Sequence, residues 1–188
     1  MALFAARARL DQRACEAARL DGTALAASSN GARWERSLLA SDQLQLLSIY
    51  EASSAAQVAD VVGSTDLTYS DPEEVEESLP GRFLEGLDNE PGPDSRLFLI
   101  LRQFTEWMTD TELEAMTYRS STCSNTFSGL SWVRSYVVKE QHPSSEDPRV
   151  RPRTKCLYRS PSEVDIRQHA ELVRVPCDEI WAVEELLP

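Results

Sequence analysis

The sequence predicts an α+β fold in which one βαββαβ unit is written twice along the chain. Three observations predict it. Gly31-Ala32-Arg33-Trp34-Glu35-Arg36-Ser37 recurs as Gly129-Leu130-Ser131-Trp132-Val133-Arg134-Ser135, a G-x-x-W-x-R-S pattern. Further landmarks repeat around it: Leu3-Phe4 with Leu97-Phe98, Ile49-Tyr50-Glu51-Ala52 with Leu157-Tyr158-Arg159-Ser160, and Val75-Glu76-Glu77 with Val183-Glu184-Glu185. Between the landmarks, both copies read strand, helix, strand, strand, helix, strand. That order is the ferredoxin-like split β-α-β unit. Its sheet carries helices on one face only, so two tandem copies are expected to cover each other as an intramolecular, barrel-like pseudodimer.

In the first copy, residues 1–78, Leu3 to Leu10 reads as a strand and Asp11 as the N-cap of a helix. Ala14, Ala17, Ala18 and Leu25 give that helix its small apolar face, and Gly31 ends it. Strands follow over Arg33 to Leu39 and Leu44 to Glu51, joined through Ala40-Ser41-Asp42-Gln43. Ser53 or Ser54 caps a short helix through Val62, closed by Gly63. A weak edge strand lies within Leu67 to Val75, where Pro72 and an acidic run limit pairing. Residues 79–95, with Pro80-Gly81 and Pro91-Gly92-Pro93, read as a linker.

The second copy, residues 96–188, is written more strongly. Leu97 to Phe104 is a strand, and Thr109-Asp110-Thr111-Glu112 is a capping box opening a helix towards Ser128. Trp132 to Val138 and Thr154 to Arg159 form a hairpin enlarged over residues 140–153. Ser160-Pro161-Ser162-Glu163 starts a helix carrying Val164, Arg167, His169 and Leu172. Asp178 to Leu186 closes the copy.

Composition narrows the function. A net charge of -12 argues against nucleic-acid backbones and anionic membrane surfaces. No apolar stretch is long enough to span a bilayer, and the N-terminus lacks a secretory pattern. Cys15, Cys123, Cys156 and Cys177 are scattered without a C-x-x-C pair, which suits reduced thiols in the cytoplasm. Arginine outnumbers lysine 17 to 2, the bias of a high-GC genome.

Trp132-Val133-Arg134-Ser135-Tyr136-Val137, Cys156-Leu157-Tyr158, Ser160-Pro161-Ser162-Glu163 and Ile166-Arg167-Gln168-His169-Ala170 resemble an actinobacterial family of small ferredoxin-like proteins. That family was formerly of unknown function and includes nickel-responsive, nickel-binding members. Copy one resembles it through Trp34-Glu35-Arg36-Ser37 and Tyr50-Glu51-Ala52. The resemblance implies nickel as a ligand. The family often has His where this chain has Arg134, with Arg36 in the first copy. A guanidinium has no lone pair to give a metal, so a metal site at that position is expected to be lost.

Strand alternation places Trp132, Arg134 and Tyr136 on one face, and Trp34 with Arg36 likewise. Two readings follow. Arg36 and Arg134, walled by Trp34, Trp132 and Tyr136, form a cationic pocket between the copies for an anionic or aromatic substrate. Alternatively, they pair with Glu35, Glu51 or other acids and hold the copies together. Tyr50, Tyr158 and His169 are the candidate proton carriers; His169 has Val61 as its counterpart. His169 with Cys156 or Cys177 is the alternative metal set. His142 in the enlarged hairpin reads as solvated, and the acidic run 71–77 as a solvated edge. The functional expectation is a cofactor-independent enzyme of cyclase, isomerase or simple oxygenase type acting on a small organic molecule. The rivals are a nickel-binding protein and a non-catalytic ligand-binding scaffold. A second copy of the chain is the one macromolecular partner left open.

Overall fold

In the computed structural model the described residues are 1–20, 31–80 and 94–188. The expected contribution of Leu25 and the core of the linker lie outside them. The protein is mixed α+β, and its strands pair antiparallel wherever their register is defined. It divides into two compact units, Met1–Glu76 with Ala182–Pro188, and Glu77–Trp181.

The first unit contains β1 (Ala2–Arg9), α1 (Gln12–Leu20), β2 (Arg33–Ala40), β3 (Gln45–Ala52), α2 (Ala55–Gly63) and β4 (Thr68–Tyr69). It also holds most of β5 (Glu73–Ser78) and all of β10 (Glu184–Leu186). The strand order is β10-β2-β3-β1-β5, with β4 also on β1. A 3-10 turn over Ser41–Gln43 joins β2 to β3, and Leu44 leaves it in the left-handed region at φ 52°. Ser54 caps α2 by accepting from the Gln57 amide.

The second unit runs β6 (Arg96–Gln103), α3 (Asp110–Ser124), β7 (Ser131–Gln141), β8 (Val150–Ser160), α4 (Glu163–Val173) and most of β9 (Glu179–Ala182). Its strand order, β7-β8-β6-β9, is that of the ferredoxin-like sheet. The capping box at Thr109 and Glu112 forms, whereas α4, expected to be capped by Ser160 with Pro161 as its first residue, starts two residues later with Ser162 as its cap. Both are local hydrogen-bond devices, but only the first is readable from four residues.

Four further expectations change. Helix α3 ends at Ser124 rather than Ser128, because Ser121 and Ser124 turn their hydroxyls back onto backbone carbonyls in the last turn. The enlarged hairpin is partly ladder: pairing continues through Lys139↔Pro152, Glu140↔Arg151 and Gln141↔Val150. The strand expected over Asp178 to Leu186 is broken at Val183 into β9, which neighbours β6, and β10, which pairs with β2. The edge expected within Leu67 to Val75 extends to Ser78 and buries Val75.

Candidate functional site

The repeated G-x-x-W-x-R-S segment does three separate things, and does them identically in both units. Gly31 and Gly129 turn the chain at φ +87° and +79°, where side chains are strained. A β-bulge follows each tryptophan: Trp34 faces Tyr50 and Arg36 faces Ile49, just as Trp132 faces Tyr158 and Arg134 faces Leu157. The bulge makes Glu35 and Val133 the extra residues, so later side chains swap faces. Across it, the indole N–H of Trp34 donates to Ser37 Oγ at 3.0 Å, and Trp132 donates to Ser135 Oγ at 3.0 Å.

The shared face expected for Trp and Arg is therefore corrected. Trp34 and Tyr50 pack with Val58, Val61 and Val62 of α2, beneath the helices. Arg36 and Arg134 lie on the opposite face of their sheets, and Tyr136 lies with Arg134. Each arginine is half-buried and ion-paired: Arg36 Nη1 reaches Glu185 Oε1 at 2.6 Å, and Arg134 Nη1 reaches Glu77 Oε1 at 2.7 Å. Glu185 and Glu77 are counterparts in the duplicated Val-Glu-Glu segments. Glu35 and Glu51, considered above as partners, pair instead with Arg33. The acidic run is thus more than a solvated edge, since Glu77 neutralises Arg134.

Tyr50 sits in a network of buried hydroxyls. Ser37 Oγ and Ser48 Oγ are 2.8 Å apart, and Ser48 Oγ reaches Tyr69 OH at 3.5 Å. Burial, reinforced by Tyr69, pushes the Tyr50 phenol well above its ordinary range. Beside it, Ala8, Leu10, Cys15, Ala18, Leu39 and Leu46 form an apolar cluster.

The equivalent region of the second unit is polar. His169, on α4 and 1% exposed, donates Nε2–H to the Ser120 carbonyl of α3 at 2.9 Å. Its ring lies edge-on to Phe127 at 5.9 Å and tilted to Tyr158 at 5.7 Å. Burial lowers the imidazole pKa, the nearby Arg102 charge lowers it further, and the Ser120 hydrogen bond opposes both. His169 is accordingly a neutral Nε2–H imidazole at pH 7. Tyr158 OH lies 3.4 Å from Ser120 Oγ, and burial pushes its pKa up to about 12.

Arg102 completes the cluster. Sequence reasoning passed over it, although the match of Leu3-Phe4 with Leu97-Phe98 sets it opposite Ala8. Its guanidinium is 5% exposed, donates Nη1–H to the Pro176 carbonyl, and leaves Nη2 buried without a hydrogen-bond partner. Burial disfavours its charge, but Cys156, Tyr158 and Cys177, which lose their protons before the guanidinium does, and a hydrogen bond with Cys156 favour it and raise its pKa. Cys156 is buried and donates to Thr154 Oγ1 at 3.3 Å; Cys177 is half-buried, and burial raises its pKa against the pull of Arg102 and Arg167.

His142 stands apart, on the hairpin. It accepts the Ser144 amide at Nδ1 and meets Trp107 edge-on at 4.8 Å, while Arg151 covers the Trp107 ring at 4.9 Å.

The alternative metal set does not suit a nickel ion. Among the described residues no group of three or more His, Cys, Asp or Glu could hold a metal. A permanent guanidinium lies beside both thiols, where it would repel a dication.

The strand order and helix placement of the second unit define a ferredoxin-like α+β protein. Residues 98–183 match the model of a family described as nickel responsive protein SCO4226-like. No curated protein matches the sequence. Among solved structures, a mutant chlorite dismutase from Candidatus Nitrospira defluvii, in complex with cyanide, is similar over 99% of this chain and 91% of its own. Its TM-score is 0.51 at 11% identity, a likeness of fold alone. An anthrone oxidase-like protein matches with TM-score 0.47 and 11% identity, over 99% of this chain and 90% of its own. No helix among the described residues is long and apolar enough to cross a membrane.

Proposed function

We propose that the chain consists of two tandem ferredoxin-like repeats and binds a small organic molecule, anionic or aromatic, in the second. In this reading it is a cofactor-independent enzyme of cyclase, isomerase or simple oxygenase type. One observation carries the proposal. Where the first repeat holds Ala8, Ser48 and Val61, the second buries Arg102, Cys156 and His169 around Tyr158. The first repeat demonstrates that the fold needs no charge or imidazole there, and burying such groups costs free energy unless function retains them. Tyr158, neutral at physiological pH, is suited to donate a proton; neutral His169 is suited to relay one. Trp34, Trp132 and Tyr50 then serve packing, and Arg36, Arg134 and Tyr136 the opposite sheet face.

The family match favours a second reading, nickel binding, and one experiment separates the two. Purified protein is screened by ligand-observed NMR against neutral aromatics and small organic acids, with a parallel arm loaded with nickel and assayed for bound metal. The expected outcome is organic ligands whose binding falls at least tenfold in His169→Val, the first repeat's own residue. Organic binding untouched by that change would remove the site from the second repeat. A full equivalent of retained nickel would favour the metal reading.

A further inference from the structure

The buried guanidinium of Arg102 poses a question of charge balance. Among the described residues no carboxylate pairs with it: Nη1 donates to the Pro176 carbonyl, and its other polar neighbours are Cys156, Cys177, Tyr158 and His169. Arg36 and Arg134, both largely covered, each meet a glutamate. A buried cation without a counter-ion is costly, and a guanidinium edge presents two parallel N–H groups suited to an oxyanion. The donor left idle is Nη2, on the fully covered side chain. Helix packing does not explain the residue, because the first repeat closes the same place with Ala8 and aliphatic side chains.

The loop after α4 offers the approach. Pro176 accepts from Arg102, and Cys177, next in sequence, is only half-buried. Asp178 is fixed to β6, its amide donating to Leu101 O at 3.1 Å and its carboxylate accepting from the Gln103 amide at 2.7 Å. Of the two thiols beside the guanidinium Cys177 is the more exposed, and Arg167, ion-paired with Glu163, acts on it together with the carboxylates of Asp178 and Glu163.

We propose that Nη2 of Arg102 is the anchor of a small-anion site whose ligand is the carboxylate of a small organic acid, with Cys177 at its mouth. This deepens the functional reading above and rests on it, naming the ligand's charged group. The overall negative charge of the chain does not prevent such a site, since the field of a contacting guanidinium dominates within a Debye length.

The test is anion protection of Cys177. Iodoacetamide labelling is followed at each cysteine by peptide mass, with benzoate, acetate, thiocyanate or neutral benzamide added at matched ionic strength. Benzoate and acetate are expected to slow labelling of Cys177 at least fivefold in the wild-type protein and less than twofold in Arg102→Ala. Arg102→Lys, which keeps the charge without the fork, is expected to lose at least half of the protection; full protection in it overturns the proposal. Equal protection in Arg102→Ala, or none by any anion, also overturns it. Protection by thiocyanate alone overturns the carboxylate assignment in favour of an inorganic anion. Benzamide binding that depends on His169 while carboxylates fail would leave the functional reading standing and this inference refuted.

Discussion

His169 ties helix α4 to α3 through one hydrogen bond to a backbone carbonyl, and it does so as a neutral ring. Its pKa is lowered in the folded protein, so the unfolded chain binds more protons in the window below the ordinary histidine value of about 6.5. Stability therefore rises with pH through that window and is lost as pH falls from about 6.5. Urea midpoints measured between about pH 5 and 7 should decline on the acid side, and His169→Val should flatten that decline. A decline of equal size in the variant would assign it to other groups. The residue scale is also where the sequence is hardest to read. Period-two alternation through Trp132, Arg134 and Tyr136 is sound for a regular strand, but Val133 is an inserted residue. Nothing in its identity announces the bulge. The clue is Ser135, three places after Trp132, which needs the flipped face to accept the indole proton.

At the scale of elements, helix starts are more legible than closing strands. Thr109 and Glu112 satisfy free amides from within four residues, so sequence alone carries that start, whereas α4 is capped by Ser162 rather than Ser160, two serines that the local pattern does not rank. Where β9 gives way to β10 is decided by partners far along the chain, β6 and β2. The glycines opening each repeated motif are equivalent in conformation but not in surroundings. A Cβ on Gly129 would lie 3.0 Å from Pro161 Cγ, whereas one on Gly31 would meet the flexible Gln57 amide at 3.4 Å. Both alanine variants carry a positive-φ penalty of about 1 kcal/mol. Gly129→Ala should lower the thermal midpoint by the larger amount, because a proline ring cannot swing aside; a larger loss for Gly31→Ala would contradict this.

For the molecule as a whole, the division into units does not follow the division of the sequence. Residues 182–188 belong to the first unit and Glu77 to the second. β10 pairs Glu184 with Leu39, Glu185 with Leu38 and Leu186 with Ser37, and Glu185 neutralises Arg36. Shortening the chain to Val183 should therefore destabilise the first unit by on the order of 2 kcal/mol. Hydrogen exchange should show lost protection over Arg33–Ala40 and unchanged protection over Asp110–Ser124. Loss confined to the second unit would sink this assignment. The duplicated motifs made the βαββαβ order readable, whereas Arg102 escaped notice because an arginine among Leu97, Leu99 and Leu101 reads as a strand's outward residue. Only comparison with Ala8 marks it as an inward one.

The break at Val183 also bears on synthesis. A ribosome delivers β1 first and β10 nearly 180 residues later, yet both belong to the same unit. Strand β2 must keep an unpaired edge throughout the making of the second unit, the condition in which nascent chains stick to one another. The unit begun earliest is thus completed last, and slow translation prolongs its exposure.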